Sequence, residues 1–255
     1  MTAYCQLHRD PAAWVIETLI DPEQPAGPDG PGPPLLDAAI REIRRQGGGE
    51  VSYRLPAPTA AEESVALQAG FTPSREIHQL RVALPLSEAV IDSSPRVPVR
   101  SFRPGTDDAE WLTVNNRAFA GHPEQGNWDL DLLRERQAQP WFDPDGLLVH
   151  EEEGRMAASC WTKVHGTGDS ALGEIYVISV DPDFQGRGLG RALTVAGLEH
   201  LRAQGLRTGM LYVDRSNTTA RHLYASLGFS PDHVDRFYSI HVPRGDGLTP
   251  SGPIA

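Results

Sequence analysis

The feature that most constrains this chain is the stretch "VISVDPDFQGRGLGRAL", residues 177–193. A β-branched apolar run ends at Asp181-Pro182. Three alternate glycines follow, Gly186, Gly188 and Gly190, and then an apolar repeat of helical period. Strand, glycine loop and helix in that order fix a local geometry. Glycine weakens regular structure, so a cluster at this turn implies that something approaches the backbone closely. A phosphate held by free N–H groups at a helix N-terminus is the usual reason.

Three phosphate ligands compete. A nucleotide P-loop needs Gly-Lys-Ser or Gly-Lys-Thr, and here Gly190 is followed by Arg191. A dinucleotide fingerprint needs G-x-G-x-x-G, and this loop is G-x-G-x-G. The third reading is a pyrophosphate cradle: the pattern Gln185-x-x-Gly188-x-Gly190 resembles the coenzyme A loop of N-acetyltransferases, and the bland alternative is a plain tight turn. In the cradle the N–H groups of residues 186–191 face the phosphates, and Arg187 and Arg191 add charge.

The bulk properties narrow the partners. The chain has 255 residues and a formal net charge of -11, which disfavours a nucleic-acid backbone. An anionic cofactor remains compatible, because a nest of N–H groups acts locally. No apolar run has the length of a membrane span, and the first residues lack a signal-peptide pattern. Cys5 and Cys160 make no disulfide framework, so a cytoplasmic location is expected. His150 and His165 fall in no metal-ligand pattern, and no metal is expected. No membrane partner is expected, and the chain is expected to be a monomer.

Periodicity predicts helices at 35–47, 62–70, 106–119, 130–137, 189–204 and 217–229. It predicts strands at 76–84, 97–104, 147–151, 156–164, 174–180, 208–213 and 234–242. The class is α/β (α+β). Residues 85–96 read as a linker between domains at 1–84 and 97–242, with a loose tail at 243–255. The chain also repeats itself. "LLDAAIREIRRQG" at 35–47 matches "LTVAGLEHLRAQG" at 193–205, and "AGFTP" at 69–73 matches "LGFSP" at 227–231, both at an offset of 158. The first copy is partial and has a Pro/Gly segment, residues 21–34, where the second has its glycine loop.

Strand, Gln-x-x-Gly-x-Gly loop and a later "SNTTARHLYASLGF" resemble the GNAT superfamily of N-acetyltransferases. The motifs "NNRAFAGHPEQGNW", "PWFDPDGLL", "CWTKVH", "GEIYVISVDP" and "MLYVDRSN" narrow the resemblance to the mycothiol synthase family. It implies a tandem GNAT fold, a mixed sheet flanked by helices, with a shortened N-terminal copy. It implies acetyl transfer from acetyl-CoA to the cysteinyl amine of cysteinyl-glucosaminyl-inositol. Acetyl-CoA contacts fall on Ile178, Ser179, Val180, Gln185, Gly186, Arg187, Gly188, Leu189, Gly190 and Arg191. A second set falls on Asn217, Thr218, Thr219, Ala220, Arg221 and His222.

The transfer needs a neutral amine. Glu174 is the candidate base, on a strand where it is expected to share a face with Tyr176 and Ile178. Among Leu172, Ile175 and Val177 it is expected to be partly desolvated, which makes a carboxylate more basic. Tyr224 is the candidate acid for the leaving thiolate. The resemblance implies that Lys163, Tyr212 and Asp131 contact the acceptor along with Glu174; Asp129 is an equally good register for the aspartate. His122 and Glu124 are expected to order their loop. In the first copy Ala66 matches Tyr224, and Trp14 matches Glu174, so that copy lacks acid and base. Two other readings stay open: the same chemistry on another small-molecule or peptide amine, and a non-catalytic acyl-CoA-binding module.

Overall fold

A computed structural model describes residues 3–10, 13–21, 23–25, 27–121 and 125–245. His122 and Glu124 lie outside the described residues. Contacts divide the chain into two units: Met1–His78 with Asp214–Ser216 and His233–Ala255, and Gln79–Val213 with Asn217–Asp232. The division does not follow chain order, because β4 (Thr72–Ala83) and β10 (Ser230–Val242) each supply residues to both.

The first unit holds β1 (Ala3–Arg9), β2 (Trp14–Ile20), α1 (Gly32–Arg45), β3 (Gly49–Leu55) and α2 (Ala60–Gln68). β1 and β2 are antiparallel, β2 and β3 parallel, and β3 and β10 antiparallel. α1 buries Leu36, Ala39 and Ile43, spaced three and four apart on one helical face. They pack with Trp14, Ile16, Val51, Tyr53, Phe71 and Tyr238. Thr59 and Glu62 form a capping box that starts α2.

The second unit holds α3 (Glu88–Asp92), β5 (Arg100–Ser101), α4 (Asp108–Ala118), α5 (Leu130–Gln137), β6 (Leu147–Glu152), β7 (Arg155–His165), β8 (Leu172–Val180), α6 (Leu189–Ala203), β9 (Thr208–Asp214) and α7 (Thr218–Ser226). Strand order is β4-β9-β8-β7-β6-β5. β5 to β8 are antiparallel, and β8 to β9 is parallel. α6 packs on one face, with Cys160, Ile175, Leu193, Leu198, Leu211 and Tyr224 in one core cluster. The other face carries Trp111 of α4, Leu133 of α5, Leu147, Trp161 and Val177.

Two irregularities in β8 shape the site. The β8–β9 ladder pairs Gly173 with Gly209 and Glu174 with Met210, and then stops, although both strands run on. The two strands therefore splay beyond Glu174. On the other side, Trp161 pairs with Val177 and Thr162 with Ile175, so Tyr176 is an extra residue in a β-bulge. The bulge corrects one expectation. Tyr176 joins the Trp161 cluster while Ile178 packs with the α6 cluster, so Glu174 and Tyr176 do not share a face with Ile178. Strict alternation fails because one residue is inserted.

The repeat is structural as well as sequential. α2 and α7 begin and end 158 residues apart, and α1 and α6 agree with that offset within one residue. The expected match of Trp14 to Glu174 is off by one. Trp14 pairs with Val51 and is buried in the core under α1, so the neighbouring Val15 faces the side equivalent to Glu174. Three strands, β1 to β3, were not marked by periodicity. The segment read as a linker contains α3, with Ser87 accepting from Val90 N at its start. Within residues 97–104 the β6 ladder covers Arg100 and Ser101, Phe102 N donates to Leu147 O at 2.9 Å, and the Phe102 side chain is buried in the core.

Candidate active site

Glu174 is buried, with 6% of its surface exposed, at the last rung before the splay. Its Cα partner across β7 is Lys163. His165, two residues on and on the same side of β7, meets it directly: His165 Nε2 lies 2.6 Å from Glu174 Oε2. Lys163 is the only lysine in the chain. Its Nζ stands 4.5 Å from the ring centre of Trp141 and 5.3 Å from that of Tyr176. Two aromatic faces hold the ammonium, a contact worth about 0.5–1 kcal/mol each at a partly open site. Burial pushes the Tyr176 phenol above its usual pKa, and the Glu174 charge adds to the rise.

Tyr212 lies on β9, two residues beyond Met210 and therefore on the Glu174 side of the sheet. It is 40% exposed, and its hydroxyl accepts a 2.7 Å hydrogen bond from Gln79 Nε2. Gln79 Oε1 accepts in turn from Arg81 Nε at 2.9 Å. Asp129 is the N-cap of α5 and accepts from Leu132 N at 2.8 Å. Asp131 is exposed in the first turn of that helix, with no contact to Glu174 or Lys163 among the described residues. The cap occupies Asp129, which leaves Asp131 the freer of the two carboxylates.

Tyr224 sits on the opposite side. It is buried, set edge-to-face against Phe229 with ring centres 5.7 Å apart, and belongs to the α6 cluster with Cys160. Burial raises its phenol pKa strongly, and the Cys160 sulfur adds to the rise. The phenol therefore stays protonated through neutral pH. Burial also pushes the Cys160 thiol up to about 12, which keeps it an inert core group.

The glycine loop has the backbone a phosphate cradle needs. Gly186 and Gly188 have φ of +78° and +81°, in the left-handed region. Gly188 is the N-cap of α6, and the first helical bond runs from Ala192 N to Gly188 O. The N–H groups of Leu189, Gly190 and Arg191 thus point out of the helix end. The positive end of a 15-residue helix lies behind them. The two arginine side chains are engaged within the protein. Arg187 Nη1 donates to Glu152 at 2.9 Å, and Arg191 donates to Ser94, Ser93 and Ser226. Gln185 Nε2 reaches Val180 O at 3.4 Å. Ser179 is interior: its hydroxyl meets that of Ser159 at 2.8 Å, which accepts from Trp111. Ser179 is almost wholly buried, and Ile178 and Val180 flank it on β8. Asn217 caps α7 by accepting from Ala220 N, and Thr218, Thr219 and His222 are exposed in the first turns beside Arg221.

Sequence reasoning singled out Glu174 and Lys163, and put Tyr176 on the face of Glu174, but it did not bring His165 or Trp141 to them. Alternation along β7 carries a usable signal for His165: residues 163 and 165 must share a face, opposite Glu174 and Leu172. His150, by contrast, is structural, with Nδ1 at 2.8 Å from Pro98 O.

A parallel pair that splays, with a glycine cradle at the following helix, defines a GNAT-type acetyltransferase. The family model "Acetyltransferase (GNAT) family" matches residues 110–229. Two solved structures share the fold. One is a GCN5-related N-acetyltransferase from Sphaerobacter thermophilus, with TM-score 0.73 and 21% identity over 97% of this chain and 79% of that one. The other is a tandem GNAT protein from the clavulanic acid biosynthesis pathway, with TM-score 0.72 and 20% identity over 95% of this chain and 79% of that one. The mycothiol acetyltransferase of Thermomonospora curvata is 46% identical over 210 residues, 81% of this chain and 69% of that protein. That of Streptomyces griseus is 42% identical over 245 residues, 93% of this chain and 76% of that protein. The chain belongs to the mycothiol acetyltransferase family.

Proposed function

We propose that the protein transfers the acetyl group of acetyl-CoA to the cysteinyl amine of cysteinyl-glucosaminyl-inositol, completing mycothiol. The identity to mycothiol acetyltransferases supports the acceptor. The observation that carries the chemistry is the end of the β8–β9 ladder at a buried carboxylate, Glu174.

In this reading the pyrophosphate rests on residues 185–191, and the pantetheine arm follows Ile178, Ser179 and Val180 into the splay. Residues 217–222 flank it from α7. The thioester then reaches the gap between the strands, with Glu174 on one face and Tyr224 on the other. The acceptor enters from the Glu174 side, where Lys163, Tyr212 and Asp131 meet its hydroxyl and amide groups. Glu174 takes a proton from the ammonium, and the neutral amine attacks the thioester carbonyl. The C–S bond breaks, and Tyr224 gives its proton to the departing thiolate. The tetrahedral nitrogen restores that proton. One proton is left over for each acetyl group transferred.

The test is direct. Incubation with acetyl-CoA and cysteinyl-glucosaminyl-inositol should give the N-acetyl product by mass spectrometry, with one free thiol of coenzyme A per product. An acceptor already blocked at the amine should give none. Acetylation of simple polyamines or peptides in preference to this acceptor would refute the substrate assignment.

A further inference from the structure

The leftover proton needs a way out. Glu174 is held in the strand with 8% of its side chain exposed, whereas the side chain of His165 is 36% exposed. His165 is the last residue of β7, and residues 166–170 after it are all exposed. The 2.6 Å contact between His165 Nε2 and Glu174 Oε2 joins the buried carboxylate to this open hairpin. It also uses one carboxylate oxygen and leaves Oε1 for an incoming amine.

We propose that His165 positions Glu174 and carries its proton to solvent. The inference rests on the reading of Glu174 as the base. After deprotonating the ammonium, Glu174 is a neutral acid hydrogen-bonded to Nε2. The proton crosses to Nε2, which makes a carboxylate and an imidazolium. The imidazolium releases the Nδ1 proton to water, which leaves Nε2–H donating to the carboxylate, and water-mediated transfer of that ring proton from Nε2 back to Nδ1 resets the ring with no net loss of a second proton. Atoms and charge balance against the one proton that the transfer liberates.

The surroundings favour this route. From β7 comes Lys163, whose ammonium is held over Trp141 and Tyr176 and accepts no proton while charged. From β8 comes Tyr176, a phenol held protonated by burial. From α5, Arg136 and Glu135 act on the Tyr176 hydroxyl from the helix side. From β9 come Met210 and Tyr212, neither of them charged, and the hairpin beyond His165 carries Asp169. Among these groups His165 alone touches the carboxylate, and its ring has a second nitrogen, Nδ1, through which a proton taken at Nε2 can leave.

The experiment measures turnover of native protein, H165Q, H165A and E174Q with cysteinyl-glucosaminyl-inositol, at increasing imidazole concentration. H165Q keeps a donor for the carboxylate but cannot pass a proton. It should lose about tenfold or more in kcat, with the KM for acetyl-CoA unchanged. Imidazole should restore turnover in H165A and H165Q and leave the native protein unaffected, a response that a merely structural histidine would not give. H165Q at native speed, or slow variants indifferent to imidazole, would sink the relay. E174Q at native speed would instead remove the base assignment beneath it. Folding is followed by circular dichroism. Should the histidine variants not fold, native protein and E174Q carry the test by nitrogen NMR of the ring: the His165 Nε2 resonance must move on losing the carboxylate, and an unmoved resonance ends the proposal.

Discussion

Lys163 and Glu174 face each other across β7 and β8 as Cα partners, and they are the only lysine of the chain and the buried carboxylate at its splayed strand. The ammonium is turned onto Trp141 and Tyr176 and has no carboxylate within ion-pair distance among the described residues. A lysine here keeps three rotatable donors on a compact charge, suited to hydroxyl oxygens. An arginine fork would stack flat on the rings instead.

A single side-chain amine makes a clean probe. An amine-selective acylating reagent should add to one side chain, Lys163, as read by peptide mass spectrometry. The acceptor should slow that reaction. Lys163→Met should raise the KM of the acceptor severalfold and leave that of acetyl-CoA unchanged. Equal labelling with and without acceptor would remove Lys163 from the acceptor site.

Replacing Glu174 by Gln keeps shape and hydrogen bonding but removes the base. General base catalysis contributes about 100- to 10,000-fold, so kcat should fall by that order with acetyl-CoA affinity preserved. The deficit should narrow as pH rises, because the amine of the acceptor becomes neutral without help. A pH–rate profile of both proteins checks this; parallel profiles at native rate would make Glu174 structural only.

Gly188→Val should abolish acetyl-CoA binding. The position has φ of +81°, and a Cβ there would stand 3.1 Å from Pro95 Cγ. A β-branched residue in that conformation strains the turn that aims the N–H groups of α6. Calorimetry is the measurement, with circular dichroism to show a retained fold. Native affinity in the variant would remove the cradle from this loop.

The first unit should bind no acetyl-CoA. Its helix α1 begins with Gly32, Pro33 and Pro34 after an N-cap at Pro31, where α6 has Leu189, Gly190 and Arg191 after Gly188. Proline has no N–H to offer a phosphate. Titration calorimetry should give one acetyl-CoA per chain, and a stoichiometry of two would contradict it.

Asp107, at the start of α4, gives a pH-dependent term in stability. Burial acts to raise its pKa, but hydrogen bonds from Arg103 and Arg100 outweigh it and bring it from 3.8 down to about 2. The side chain is 3% exposed and receives Arg100 Nη1 at 2.6 Å and Arg103 N at 2.8 Å. A lowered folded pKa stabilises above the unfolded value and loses that contribution as pH falls from about 4 to about 2. Asp107→Asn should cost about 1–2 kcal/mol at neutral pH, since Arg103 is largely exposed and its share is screened. Urea denaturation should show the difference shrinking across that acid window.

How far the sequence could be read depended on the kind of signal. The helices other than α3, and β6 to β9, announced themselves through periodicity and caps, and the glycine loop through composition. β1 to β3 did not. β1 has no buried residue and alternates partly buried with exposed positions, and in β2 polar Glu17 and Thr18 interrupt the apolar run. α3 hid among prolines and serines. At the site, Glu174 and Lys163 were singled out by motif resemblance, whereas Asp129 was read only as an alternative register for Asp131 and not as the cap it forms. The Tyr176 bulge was not legible, because an inserted residue leaves no mark in composition and only shifts the pairing of its neighbours.

That bulge makes β8 a discrete device. Side chains on a strand have only two directions, so Glu174 and Ile178 reach opposite faces by virtue of one surplus residue. Substitutions can grade the size or polarity of either side chain, but none can shift it part of the way across the sheet. Deleting one residue at position 176 would restore even pairing and turn either the carboxylate or the ligand-facing half of the strand inward. Descent from this chain is thus free to retune its chemistry by point changes, yet a length change in these few residues is all-or-none.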